Sequence, residues 1–145
     1  MTVERLCSRE VDLADPDESA QAAAQRMATR NVGTLVVVDS DRRPIGILTD
    51  RDLALTVVAM GRDARKVHVR EVMTRGVATV TETTPIEMAL ELMRRRGVRR
   101  LPVVGEDKAL VGILSVDDVL SLLIDEFRSM RGILDRSSPQ AAGVD

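Results

Sequence analysis

The sequence GILTDRD, residues 46–52, joins an apolar stretch to a threonine and carries an aspartate three positions after that threonine. The sequence GILSVDD, residues 112–118, has the same form, with serine in place of threonine. A hydroxyl residue followed three positions later by an acid, in front of an apolar run, is the pattern of a helix-capping box. Each segment therefore predicts a strand that ends at the hydroxyl residue and a helix that begins just after it.

These two segments belong to a long internal repeat. Shifting the sequence by 66 residues, the separation of Gly46 and Gly112, aligns it with itself over more than fifty residues without a gap. Identical residues coincide along the alignment: Val3 with Val69, Met27 with Met93, Leu35 with Leu101, Val37 with Val103 and Asp52 with Asp118. A repeat of this regularity predicts two structural units of the same architecture.

Each repeat predicts the element order β-α-β-β-α. Apolar runs predict strands at 11–14, 34–38 and 45–48, and again at 77–80, 100–104 and 111–114. In the second repeat Thr84 is a candidate helix cap, followed by Pro85 in the first helical turn. Apolar residues at helical spacing follow in both repeats: Ala20, Ala23, Ala24 and Met27, then Ile86, Ala89, Leu90 and Met93.

The last helix of each repeat is unusually apolar. Residues 53–60, LALTVVAM, carry no charge, and residues 119–124, VLSLLI, are similar. A helix with apolar residues on more than one face is expected to be covered on more than one side. One small unit cannot supply that cover, so we expect the two units to pack on each other and on a second copy of the chain, as a homodimer.

Composition argues against several classes of function. The 145 residues are 44% hydrophobic and 30% charged with a formal net charge of −2, so no general attraction to nucleic acid or to an anionic membrane is expected. One cysteine, Cys7, and one histidine, His68, argue against a disulfide, an ordinary zinc site and a catalytic triad. The absence of an apolar signal core or of a run long enough to span a membrane favours a cytoplasmic protein.

These patterns divide the chain into a first unit at 1–62, a connector at 63–68, a second unit at 69–130 and a flexible C-terminal tail at 131–145. The tail ends in SSPQAAGVD, residues 137–145, whose small and polar composition is typical of disordered segments.

Two tandem β-α-β-β-α units that each close on GIL[TS]xxD resemble a pair of CBS domains, also called a Bateman module. The stretch VREVMTRGVATVTETTPIEMALELMRRRGVRRLPVV, residues 69–104, is similar to the first part of such a unit, and GILTDRDL, residues 46–53, to its close. The resemblance covers residues 3–127, and no enzyme domain is attached to it.

This resemblance implies an α/β (α+β) fold in which two units pack through their sheets with pseudo-two-fold symmetry and leave two clefts. It implies a regulatory protein that is not an enzyme and requires no cofactor. The clefts of the family commonly accept AMP, ADP or ATP, and also S-adenosylmethionine or NAD, which we expect less here, while some members bind none. The chain is therefore expected to be an adenine-nucleotide sensor that acts on an unknown regulated protein, or else a ligand-free dimerisation scaffold.

The hydroxyl and the acid of each closing segment are candidate ligand-binding residues: Thr49, Asp52, Ser115 and Asp118. Helix capping alone would explain their spacing. The two roles are compatible, because a helix start presents free N–H groups and an ionised carboxylate can accept hydrogen bonds from both hydroxyls of a ribose. The resemblance implies the ribose role for this position.

Arg99 and Arg100 are candidate phosphate ligands, because the resemblance implies basic residues at this point and guanidinium groups bind phosphate bidentately. A solvated face is the alternative, since Arg94, Arg95 and Arg96 precede them. The first repeat has no positive charge at the matching point, so we expect phosphate binding by the second repeat and the larger contribution from its own acid, Asp118.

Adenine requires an apolar slot, for which Ile47, Val80 and Ile113 are the candidate walls. Packing in the core is the alternative for these three side chains.

Overall fold

The computed structural model describes residues 1–137 and has two units of the same architecture. The first half of the chain forms a 3-10 turn at Val3–Arg5, β1 (Leu13–Ala14), α1 (Ala20–Arg30), β2 (Thr34–Val38), β3 (Pro44–Thr49) and α2 (Asp50–Leu53), which continues as a π-helix over Ala54–Val58. The second half forms α3 (Val69–Val72), β4 (Val80–Thr81), α4 (Ile86–Arg96), β5 (Arg100–Val104), β6 (Leu110–Ser115) and α5 (Val116–Ser137). This mixed α/β architecture confirms the predicted fold class.

Each unit contains a three-stranded sheet of the same topology. Strand β1 pairs parallel to β2 and β2 antiparallel to β3, and β4, β5 and β6 repeat this order. The central strands are nearly continuous apolar runs because both of their faces are covered. Opposed leucines form the middle of each sheet, and all four are at most 1% exposed: Leu35 opposite Leu48, and Leu101 opposite Leu114.

The helices of the two sheets begin and end by different local means. The side chain of Ser19 accepts a hydrogen bond from Ala22 N at 3.0 Å and caps α1. The predicted cap at Thr84 is wrong, because Thr84 Oγ1 accepts from Thr81 N instead and Pro85 stands at the N-cap position without a side-chain bond. Gly97 ends α4 in the left-handed conformation, with φ at 65°, which glycine adopts without strain.

The first residues of each repeat pack against the opposite unit. Val3 is fully buried in the hydrophobic core of the second sheet, and Val69 and Val72 are buried in the core of the first. Four short backbone bridges join the two halves of the described chain: Thr2 with Pro85, Ser8 with Ile113, Ser19 with His68 and Ile47 with Thr74. The predicted boundaries at 1–62 and 69–130 therefore do not coincide with the two hydrophobic cores.

The last helix differs most from its prediction. Residues 131–137 continue α5 as helix, because Ile133 and Leu134 prolong its apolar pattern, so a flexible tail is wrong for this stretch. The remaining predicted tail, 138–145, lies outside the described residues. Seven large apolar side chains of α5 are 49–66% exposed: Leu120, Leu123, Ile124, Phe127, Met130, Ile133 and Leu134. None of the described helices is long and apolar enough to cross a membrane.

Candidate functional site

Thr49 and Asp52 form the capping box that their spacing predicts. Thr49 Oγ1 accepts a hydrogen bond from Asp52 N at 3.1 Å, and Asp52 Oδ2 accepts one from Thr49 N at 2.9 Å. The other oxygen, Oδ1, accepts no hydrogen bond from the described residues. Capping thus uses one oxygen of the carboxylate and leaves the second for a ligand.

Asp52 also borders a cavity of about 340 Å³ that lies between the two units. Its apolar walls come from both halves of the chain: Ile47 from β3, Val77 and Ala78 before β4, Val98 and Leu101 around the start of β5. The remaining lining residues are Thr49, Thr74, Gly76 and three arginines. This volume lies in the range of small-molecule pockets, whose surfaces are mostly apolar with a few convergent polar groups.

The three arginines of this cavity are Arg75, Arg96 and Arg100. They come from separate places in the fold, since Arg75 follows α3, Arg96 is the last residue of α4 and Arg100 is the first residue of β5. Among the described residues none of the three takes part in an ion pair, whereas their neighbours Arg94 and Arg95 are paired with Glu91. Three arginines therefore line the same cavity as one carboxylate, a composition suited to an anionic ligand, and Arg75 Nη2 also donates to the carbonyl oxygen of Arg70 at 3.3 Å.

A second cavity, of about 610 Å³, adjoins the first and shares four lining residues with it: Ile47, Thr49, Val98 and Arg100. Its other lining residues are two arginines, one acid and three small residues: Arg51, Arg99, Asp50, Gly33, Thr34 and Gly97. Arg99 lines only this second cavity, where its Nη2 donates to Asp117 Oδ1 at 2.9 Å. Arg99 and Arg100 therefore both line the second cavity, while only Arg100 also lines the first, and their joint role toward phosphate stays a prediction.

The sequence analysis assigns Arg100 to the repeat of Asp118, and Arg100 is the cross-strand partner of Ser115 in that repeat. Arg100 and Asp52 line the same cavity, because the residues after α3 pair with Ile47 of the first unit and bring the second sheet over Asp52. Asp118 is exposed and lies at the start of α5, where its backbone N–H donates to Ser115 Oγ at 3.1 Å. The return bond that completes the box at Thr49 is not formed at Ser115 within the described residues.

The three residues predicted to form the apolar walls also lie in different places. Ile47 lines both cavities near Asp52, while Ile113 pairs with Ser8 on the opposite cleft. Val80 is 6% exposed, opposes Val103 in the second sheet and belongs to its hydrophobic core. Core packing is therefore the observed role of Val80.

Sequence reasoning missed Arg75 and Arg96. The sequence groups Arg96 with Arg94 and Arg95 on a solvated face, whereas in the structure Arg96 is the last residue of α4 and lines the cavity. Arg75 follows the short helix α3, which packs on the first unit, and no local pattern marks that contact. The repeat gives one signal for these two residues, because Arg9 and Arg30 are the identical residues at the matching positions of the first repeat.

Comparisons with known proteins agree with this architecture. The CBS domain family model matches residues 3–58 and again residues 69–125. The chain belongs to the CBS domain family and contains two tandem copies of the domain, the regulatory module known as a CBS pair.

Among curated relatives, an uncharacterized protein of Methanopyrus kandleri is 35% identical over 122 residues, 84% of this chain and 62% of that protein. The CBS domain-containing protein YhcV of Bacillus subtilis is 36% identical over 118 residues, 81% of this chain and 82% of that one. Among solved structures, the CBS domain pair of protein MJ0100 in complex with 5′-methylthioadenosine and S-adenosyl-L-methionine has a TM-score of 0.76 and 27% identity, covering 87% of this chain and 98% of that one.

Proposed function

We propose that this chain is a non-catalytic regulatory module that senses an adenosine-containing nucleotide of the AMP, ADP or ATP class. The observation that carries the proposal is the cavity with apolar walls that Asp52 lines together with Arg75, Arg96 and Arg100, three arginines without an ion-pair partner among the described residues. The solved CBS pair with bound 5′-methylthioadenosine and S-adenosyl-L-methionine supports the adenosine class.

Each part of the cavity matches one part of such a ligand. Asp52 Oδ1 accepts from the ribose hydroxyls, since an ionised carboxylate is an acceptor with room for two donors. The apolar walls cover the adenine ring. The arginines bind phosphate through charge-assisted hydrogen bonds, which are about twice as strong as neutral ones. The adjoining cavity, with Arg51 and Arg99, gives additional phosphates of ADP or ATP a place to extend.

The regulatory effect follows from the origin of these residues. Asp52 belongs to the first unit, while Arg96 and Arg100 belong to the second. A ligand that contacts both units stabilises the arrangement in which they face one another, and it shifts the population toward that arrangement by its differential affinity. The regulated protein would respond to the resulting change in the relative position of the two units.

Calorimetric titration with AMP and with adenosine tests this function. We expect AMP to bind more tightly than adenosine, and we expect the preference to fall as ionic strength rises, because salt screens exposed charges. Equal affinities at all salt concentrations, or no binding of either compound, would contradict the proposal.

Nucleotide carried through purification offers an independent check. The chain has no tryptophan and no tyrosine, so it absorbs very little at 280 nm. A bound adenine nucleotide released by heat denaturation would dominate the spectrum of the supernatant near 260 nm. Chromatography of that supernatant would then distinguish AMP, ADP and ATP.

The exposed apolar face of α5 supports a second candidate function, a dimerisation scaffold formed with a second copy of the chain. The first half of α5 is acidic, with Asp117, Asp118, Asp125 and Glu126, and the second half carries Arg128, Arg131 and Arg136 beside the single acid Asp135. Two antiparallel copies would bury the apolar stripe and place opposite charges side by side, whereas parallel copies would align like charges.

Light scattering tests this second function. We expect twice the monomer mass of 15.9 kDa for the native chain and the monomer mass after Phe127→Asp. Met88→Asp is the matched control, because Met88 is 62% exposed on α4 and Phe127 is 64% exposed on α5. A native chain that remains a monomer at high micromolar concentration would rule the scaffold out.

A further inference from the structure

The internal repeat makes the region around Ser115 and Asp118 the counterpart of the first cleft, and this region is called the second cleft below. The bridge between Ser8 and Ile113 has backbone hydrogen bonds of 2.9 Å in both directions, and the bridge between Thr74 and Ile47 has bonds of 2.9 and 3.0 Å. Because the two bridges match, residues 8–12 stand beside Ser115 and Asp118 as residues 74–78 stand beside Thr49 and Asp52. Each position of the first cleft therefore has a counterpart in the second.

Part of the first cleft is repeated in the second. Counterparts of the same type are Ser115 for Thr49, Asp118 for Asp52, Arg9 for Arg75, Arg30 for Arg96, Val11 for Val77 and Val32 for Val98. The parts that would hold ribose and adenine are thus present on both sides.

Three counterparts differ in charge, and all three differ in the same direction. Glu10 stands in place of Gly76, Asp12 in place of Ala78 and Thr34 in place of Arg100. Thr34 also lines the cavity of about 610 Å³ that adjoins the first cleft, beside Thr49 and Arg100. Two carboxylates are gained and one guanidinium is lost. The first cleft has three arginines against Asp52, whereas the second has two arginines against three carboxylates.

The two arginines that remain in the second cleft are already paired. Arg30 Nε donates to Asp12 Oδ1 at 2.9 Å, and Arg9 Nη1 donates to Glu82 Oε1 at 2.5 Å. These bonds raise the pKa of both guanidinium groups. Asp12 therefore has two effects. It adds negative charge beside the cleft, and it forms an ion pair with Arg30, the counterpart of Arg96.

We propose that Asp12 and Thr34 are specificity-determining residues that close the second cleft to phosphate, so that each chain binds one nucleotide and not two. The proposal rests on the proposed function of the first cleft. A phosphate entering the second cleft would meet the carboxylate of Asp12, would have to displace Arg30 from its ion pair, and would lack the guanidinium that Arg100 supplies on the other side.

The repeat suggests the test, because the residues of one cleft can be substituted at the matching positions of the other. The graft Glu10→Gly, Asp12→Ala and Thr34→Arg gives the second cleft the residues of the first. Calorimetric titration with AMP should give one site for the native chain and two for the graft. Adding Asp52→Ala to the graft should return the number to one, because only the new site then remains.

The reverse substitution gives a second measurement that does not depend on the graft folding. Ala78→Asp places the carboxylate of the second cleft into the first, where Arg96 can pair with it. We expect AMP affinity to fall by roughly tenfold or more, because the new carboxylate pairs with Arg96 in place of the phosphate and also repels the phosphate. Adenosine affinity should be unchanged, and thermal unfolding confirms that the fold is intact.

The outcomes separate the two proposals. Two AMP sites in the native chain would overturn the specificity role of Asp12 and Thr34 and leave the nucleotide-sensing function standing. A native chain with no AMP site would overturn both. One site in the native chain and still one in a folded graft, or an undiminished AMP affinity in Ala78→Asp, would show that other residues close the second cleft.

Discussion

The two clefts of this molecule are built from one repeated sequence, and they differ only in a few charged positions. Both have a hydroxyl residue and an aspartate at a helix start, an apolar wall and an arginine at the end of a preceding helix. The first leaves its arginines unpaired around a cavity, while the second pairs Arg30 with Asp12. The comparison supports the proposal that the charged residues outside the repeat decide which cleft suits an anionic ligand.

The hydrophobic cores should be the most alike of all paired features. Leu35 and Leu101 are counterparts, with exposures of 0% and 1%, and each lies at the centre of its sheet. Truncating either to alanine removes buried contacts and leaves a cavity, at a cost of about 2–5 kcal/mol. We expect Leu35→Ala and Leu101→Ala to lower the free energy of unfolding by similar amounts in chemical denaturation. A large difference between them would mean that the two sheets do not contribute equally to one cooperative fold.

The aspartates should differ more clearly. Asp52→Ala removes the acceptor beside the three arginines, and hydrogen bonds to a charged group are worth about 1.5–3 kcal/mol each. AMP affinity should therefore fall by roughly tenfold to a hundredfold, since 1.4 kcal/mol corresponds to a factor of ten. Asp118→Ala should leave AMP affinity within about twofold of the native value on the same grounds.

Titration calorimetry beside a melting curve for each variant measures both effects. The order expected from the structure reverses the order expected from the sequence, which favoured Asp118 because its own repeat carries the arginines. A larger loss in Asp118→Ala would return the binding site to the second cleft.

Neighbouring arginines offer a finer comparison within the first cleft. Arg100 has no ion-pair partner among the described residues, whereas Arg99 is paired with Asp117 at 2.9 Å. Arg100→Ala should weaken AMP about tenfold, the loss of one charge-assisted contact to phosphate, and leave adenosine unchanged. Arg99→Ala should weaken AMP less and serve as the matched control of equal charge change.

The salt dependence of AMP binding should also become shallower in Arg100→Ala, because one fewer screened charge contributes. Equal losses in the two variants would point to a general basic surface and away from a defined phosphate contact.

Much of the fold can be predicted from the sequence, because its signals are local. The strands at 34–38 and 100–104 are observed with the predicted bounds, because each is an apolar run between turns that is buried as the central strand of its sheet. The strands predicted at 11–14 and 77–80 are shorter, Leu13–Ala14 and Val80–Thr81, because only these residues reach the neighbouring strand in parallel register. The capping box at Thr49 is likewise as predicted.

The composition of the cleft depends on contacts between distant parts of the chain, and these carry no local signal. An internal repeat does not reveal that Val3 packs on the second unit and Val69 on the first. That exchange places Arg75 and Arg100 in the same cavity as Asp52. Sequence reasoning identified the residue types of the site and assigned Arg100 to Asp118, whereas the cavity groups it with Asp52.

The smallest expected difference lies in the two helix starts. Thr49 and Asp52 exchange two hydrogen bonds, while Ser115 and Asp118 form only one. Loss of a capping residue costs about 0.5–2 kcal/mol. We expect Thr49→Ala to lie near the upper end of that range, because it breaks a complete box that is partly buried. Ser115→Ala should lie near the lower end, because its aspartate makes no return bond and both groups remain accessible to water.

Urea denaturation of the two variants beside the native chain measures the difference, and equal costs would mean that the return bond from Asp52 contributes little to stability. In that case the main role of the Asp52 carboxylate would lie in the cavity that it lines and not in the capping of α2.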